Sequence, residues 1–146
     1  AAYELVKRSL EDGLSQDPIF SSPNHVREFL QAKIGRLPHE VFLCLYLDSR
    51  LHLIECDELF RGSIAQTAIY PREILKEALA KNASALIVAH NHPSGNPLPS
   101  GADQELTKVL ASALQLVDIQ LLDHCIVSGT GFFSFSDSGL MDHGNK

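Results

Sequence analysis

ALIVAHNHPSGNPLPSGAD, residues 85–103, starts as an apolar run and finishes in the first turn of a helix, and the step between decides the fold. Ser84 to His90 has the length and apolar content of a buried strand. The run gives way at His90 and His92 to a loop carrying Pro93, Gly95, Pro97 and Pro99. Ser100 and Asp103 then stand at capping-box spacing, Ser at N-cap and an acidic residue at N3. Strand, tight loop and helix in this order form the first half of a strand–helix–strand crossover.

Working outward, the helix is expected from Gly101 or Ala102 to about Gln115. VDIQLLDHCIVSG (117–129) and GFFSFS (131–136) follow as two strands around Gly129-Thr130-Gly131. Upstream, EVFLCLYL (40–47) is a continuous apolar run of central-strand type; Asp48-Ser49-Arg50 is turn chemistry, and LHLIEC (51–56) alternates on the way back, so the pair reads as a hairpin. A looser strand is expected over 63–70. Pro71 at N1 and Glu73 in the first turn open a helix through Leu79, stopped by Asn82. A helix over 23–33 presents Val26, Phe29 and Leu30 as its apolar stripe. The fold class is α/β, a mixed β-sheet flanked by helices. Residues 2–12 read as a helix and 13–23 as a linker. The expected organisation is a helical lead-in over 1–20, left from an upstream domain, followed by one domain over 21–146 with a mobile tail, MDHGNK.

Composition removes several classes. With 45% apolar and 21% charged residues this is an ordinary globular balance. No stretch approaches the ~20 apolar residues of a membrane span, and the first residues lack a signal-peptide core. Cys44, Cys56 and Cys125 are odd in number and show no CxxC spacing, so they read as small buried hydrophobes in a reducing compartment, with a cytoplasmic location expected. Twelve Lys and Arg against eighteen Asp and Glu give a net charge of −6, and the basic residues are scattered. Strong nucleic-acid binding and membrane association are therefore not expected, while self-association as a homo-oligomer stays open.

Residues i and i+2 of a strand share a face. His90 and His92 thus project together, which suits a metal that takes imidazole nitrogen at about 2.0–2.1 Å. Asp103, one turn into the next helix, is the candidate third ligand, and three protein ligands leave a fourth tetrahedral position for water. The capping box alone is the competing account of Asp103. Other HxH sites fit less well: PSGNPLPS after His92 lacks the cupin Glu, and Ser94 stands where a metallo-β-lactamase pattern has Asp.

The full pattern H-x-H-x7-S-x2-D resembles the JAMM signature of MPN-domain metallopeptidases. FRGSIAQTAIYPREI (60–74) and AHNHPSGNPLPSGADQELT (89–107) look like the RadC family in particular, and the likeness extends from about Pro38 to Met141. The resemblance implies an MPN (JAMM, cytidine-deaminase-like) α/β/α architecture, with an upstream helix–hairpin–helix domain usual in such proteins. It implies His90, His92 and Asp103 as Zn2+ ligands and Glu40 as general base. Spacing alone does not choose Glu40 over Glu55, Glu58 or Glu73. Ser100 would donate its hydroxyl to the oxyanion. The activity implied is zinc-dependent hydrolysis of amide or isopeptide bonds in a peptide or protein substrate. The alternative is an MPN-fold binding or scaffold module with a structural metal, linked to DNA repair as the family name suggests. His25, His39, His52, His124 and His143 read as surface or structural, with His39 a minor candidate for support of the site because it adjoins Glu40.

Overall fold

The computed structural model describes residues 23–62 and 69–141. Its elements are α1 (Pro23–Ile34), β1 (Glu40–Leu47), β2 (Leu53–Gly62), α2 (Pro71–Ala80), β3 (Ala85–Asn91), α3 (Gly101–Gln115), β4 (Gln120–Ser128) and β5 (Gly131–Ser134). The strands form one mixed sheet in the order β2-β1-β3-β4-β5. β3 and β4 run parallel, joined through α3, and the other neighbouring pairs are antiparallel.

Every residue of β3 is buried, and so is β1 beyond Glu40, because helices cover both sheet faces. On one face α1 lays Val26, Phe29, Leu30 and Ile34 over Val41, Leu43, Leu45 and Leu47 of β1 and Ile87 and Ala89 of β3. On the other, Ile74 and Ala78 of α2 and Leu110 and Leu114 of α3 pack on Phe42, Cys44, Tyr46, Leu86, Val88 and Ile126. The continuous apolar run of β1 serves both cores at once, which is why it does not alternate. This is the expected α/β arrangement with helices on both sides of a mixed sheet.

Local chemistry sets the ends. Pro71 stands at N1 of α2, and Asn82, with φ of 56°, turns the chain toward β3. Asp48 Oδ1 accepts from the Arg50 and His52 amides at 2.9 Å each and shapes the β1–β2 turn. Several expectations need correction. β2 runs on from Leu53 to Gly62, because the whole of β1 offers it backbone partners. Residues 117 and 118 lie in a turn rather than a strand, with Asp118 at φ of 59°, and the strand begins only at Gln120. β5 stops at Ser134, and Phe135 is buried in the α2–α3 core. Met141, expected in a mobile tail, is buried in that same core. The lead-in helix, most of the looser strand over 63–70, and residues 142–146 lie outside the described residues.

Cys44 and Cys125 are buried and Cys56 is half-buried, and burial pushes the Cys44 and Cys125 thiols well up. Among the described residues no helix is long and apolar enough to cross a membrane.

The seating of α1 rests on Phe29, which is fully enclosed. Phe29→Ala should lower unfolding free energy by about 3–5 kcal/mol, the usual cost of such a cavity. Urea unfolding measures this, and a loss below about 1 kcal/mol would mean that α1 does not close the face.

Candidate metal centre

The pleat of β3 sends Val88 and His90 toward α3 and Ala89 and Asn91 toward α1. His92 follows the strand, and its amide donates to Val127 of β4 at 2.8 Å, so the chain stays on the sheet for one more residue. The two rings lie 4.8 Å apart between centroids, with Nε2 to Nε2 at 3.0 Å. Asp103 closes the triangle from the first turn of α3: Oδ1 is 3.4 Å from His90 Nε2 and Oδ2 is 3.3 Å from His92 Nε2.

These three side chains could hold a metal ion. Ligands about 2.05 Å from a tetrahedral ion stand about 3.3 Å apart, close to all three edges of this triangle. The remaining ring nitrogens are engaged elsewhere: His90 Nδ1 meets His124 Nε2 at 2.9 Å, and His92 Nδ1 donates to the Asn96 carbonyl at 2.9 Å. Both Nε2 atoms are thereby turned toward the carboxylate.

The capping box is present as well, and it does not compete. Ser100 Oγ accepts from the Asp103 amide at 3.0 Å, and Asp103 Oδ2 accepts from the Ser100 amide at 2.9 Å. A carboxylate has about four acceptor directions, so one group serves both cap and cluster. Burial pushes the Asp103 carboxyl up, but the His90 and His92 rings beside it and the Ser100 amide outweigh it and hold the group well below the usual carboxylate range. The same carboxylate raises His92, against its burial, with the Asn96 carbonyl and the Glu40 charge adding to the rise.

Glu40 opens β1, half-buried. β1 and β3 pair with Phe42 opposite His90, and two more residues of that antiparallel register bring Glu40 level with His92. Glu40, His90 and Asp103 share the wall of a cavity of about 130 Å³ whose apolar lining includes Phe42, Phe60 and Leu106. Asn91 fixes the backbone on either side of Glu40: its Oδ1 accepts from the Val41 amide at 2.7 Å, and its Nδ2 donates to the His39 carbonyl at 2.9 Å. Ser100 is exposed and lies outside the cavity wall, linked to it through Asp103. The His39 ring turns away to Arg61, so that residue contributes its carbonyl and not its imidazole.

Two supporting residues escape a reading by spacing. One is Asn91, whose partners are remote in sequence. The other is His124, fully buried and stacked on Phe135 with centroids 4.7 Å apart. Burial holds His124 well below its ordinary value, and His90 adds to this. It faces His90 because β4 slips register there: Leu86 pairs with Leu121 but Ile87 pairs with Asp123, which changes the phase of alternation. HCxV spacing alone carries no sign of this slip.

Residues 20–140 match the family model described as RadC, a RadC-like JAB domain. The chain is 50% identical over 141 residues to a UPF0758 protein of Leptothrix cholodnii, covering 97% of this chain and 64% of that one. It is 48% identical over 141 residues to a UPF0758 protein of a Polaromonas species, covering 97% and 63%. It is 52% identical over 142 residues to one from Aromatoleum aromaticum, with the same shares of 97% and 63%. The chain thus spans under two thirds of the length of these curated relatives.

Asn91→Ala would leave the Val41 amide and the His39 carbonyl buried without their partner. A loss of about 1–3 kcal/mol in unfolding free energy is expected, together with faster amide exchange at Val41. Unchanged protection at Val41 would show that this clamp carries nothing.

Proposed function

The chain belongs to the RadC family of JAB domains, and on that premise we propose that it is a zinc-dependent hydrolase of amide or isopeptide bonds. The observation that carries the reading is the convergence of His90 Nε2, His92 Nε2 and the Asp103 carboxylate at tetrahedral edge lengths, with Glu40 on the adjoining cavity wall. His90, His92 and Asp103 would hold the ion, which when bound supplies Lewis acidity to a carbonyl and acidifies water.

The chain's own groups do the rest. Glu40 takes a proton from the attacking water and returns it to the leaving amine, acting from beside the cluster and not as part of it. Its place opposite His92 in the sheet register supports that role. Ser100 offers its hydroxyl proton to the developing oxyanion, since its oxygen accepts from the Asp103 amide and the cap makes no use of its hydrogen. The apolar wall of Phe42, Phe60 and Leu106 keeps bulk water from the carboxylate side, where electrostatic interactions gain strength. The substrate class is a peptide or protein, because a net charge of −6 supplies no field for a phosphate backbone.

Zinc uptake must displace the proton that Asp103 stabilises on His92. Affinity should therefore rise with pH through the raised His92 value and level off above it. Wild type should bind one zinc per chain, and His92→Ala and Asp103→Asn should bind none after dialysis; equal zinc in all three rules out this ligand set.

Glu40→Gln separates enzyme from scaffold. It keeps shape and a hydrogen-bonding group but cannot accept a proton. Zinc content and melting temperature should stay at wild-type values, while turnover of a cleavable peptide falls by about 10²–10⁴. A mutant as active as wild type removes Glu40 from the chemistry. Loss of zinc would make it a ligand, and a chain that cleaves no peptide in a broad panel favours the binding-module reading.

A further inference from the structure

We propose that Thr107 and His124 form a positioning relay that fixes which nitrogen of His90 carries the proton, presenting its Nε2 lone pair to a metal ion. The inference rests on the metal reading of the His90, His92 and Asp103 cluster and concerns residues to which that reading assigns nothing.

The directions of the hydrogen bonds follow from one end of the chain. Thr107 Oγ1 lies 2.8 Å from the backbone carbonyl of Asp103, which can only accept, so the Thr107 hydroxyl hydrogen is committed there. Thr107 Oγ1 also lies 2.7 Å from His124 Nδ1, and with its hydrogen spent it must accept; His124 carries its proton on Nδ1. The His124 ring is fully buried, and with its Nδ1 hydrogen given to Thr107 its other nitrogen, Nε2, is left to accept. That atom is 2.9 Å from His90 Nδ1, so His90 donates from Nδ1 and its Nε2 is bare. Phe42 stacked on His90 and Phe135 stacked on His124 keep the two rings in place.

The relay has a contrary pull to overcome. Asp103 Oδ1, 3.4 Å from His90 Nε2, would favour a proton on that nitrogen, where it blocks metal binding. Replacing the Thr107 hydroxyl by a methyl leaves His124 Nδ1 without an acceptor. The ring then gains by moving its proton to Nε2 and donating to His90 Nδ1, which puts the His90 proton on Nε2. Both ends of the relay meet the cluster, one through the Asp103 backbone and one through the His90 ring.

The test compares wild type, Thr107→Val and Thr107→Ser in the full chain with 15N-labelled histidine. Long-range 1H–15N spectra should show His124 protonated on Nδ1 in wild type and Thr107→Ser, and on Nε2 in Thr107→Val. Zinc affinity by chelator competition should fall about 10–100-fold in Thr107→Val and stay within about threefold of wild type in Thr107→Ser. His124 protonated on Nε2 in wild type overturns the relay, and so does a Thr107→Val chain that loses thermal stability but keeps its tautomer and zinc affinity. If Thr107→Val does not fold, the wild-type tautomer decides alone. If wild type takes up no zinc, the metal reading fails on that result, and the His124 tautomer still upholds or removes the relay.

Discussion

Alternation of side chains across the end of β3 is the constraint on which the site depends. His90 and Asn91 go to opposite faces of a strand that is buried on both, and half-buried His92 follows directly after it. A polar group so placed must find a partner or cost about 1–3 kcal/mol. Each therefore reaches to a different neighbour: His90 to His124 on β4, Asn91 to the backbone of β1, and His92 to its own loop at Asn96. Satisfying these three groups ties the cluster to both flanking strands and gives it a fixed geometry.

The sheet topology adds a second advantage. β3 and β4 are parallel, so both deliver their carboxyl ends to the same end of the sheet, and the capped N-terminus of α3 begins there. Ends of parallel strands and the start of the following helix are where α/β folds collect ligands. The partial positive charge of the α3 N-terminus favours the ionised Asp103 that the two imidazoles also favour. The loop between is held down: Ser128 Oγ donates to the Gly95 carbonyl at 2.9 Å, and a Cβ at Gly131 would come within 3.0 Å of Pro97 Cγ. A side chain at Gly131 would press on Pro97 and the Ser128 hydroxyl, so glycine suits this close approach of the β4–β5 hairpin to the loop.

What the sequence made legible was local. The HxH spacing, the capping box at Ser100 and Asp103, Pro71 at a helix start and the doubly apolar run of β1 each depend on neighbours a few residues apart. The rest depends on pairing across the sheet. Residues 57–62 are half charged and resemble a loop, yet β1 draws them into a strand on the sheet edge. His124 faces the cluster through a one-residue slip in β4 that no spacing records. Asn91 works on backbone fifty residues away, and Met141 is buried by a core assembled from distant elements. Glu40 came from resemblance; the register with β3 gives it a physical place.

The three clustered groups all come from the stretch between His90 and Asp103. Loop-closure entropy grows with the logarithm of the segment closed, so an ion here restricts only a short loop of the unfolded chain. The two apolar cores lie on the sheet faces and are complete without any contribution from it. Such an ion would act as an exchangeable reagent of a chain that is already folded and not as its fastener. Selection on the cluster can then run free of selection on the fold, and a descendant that lost either imidazole would keep the scaffold.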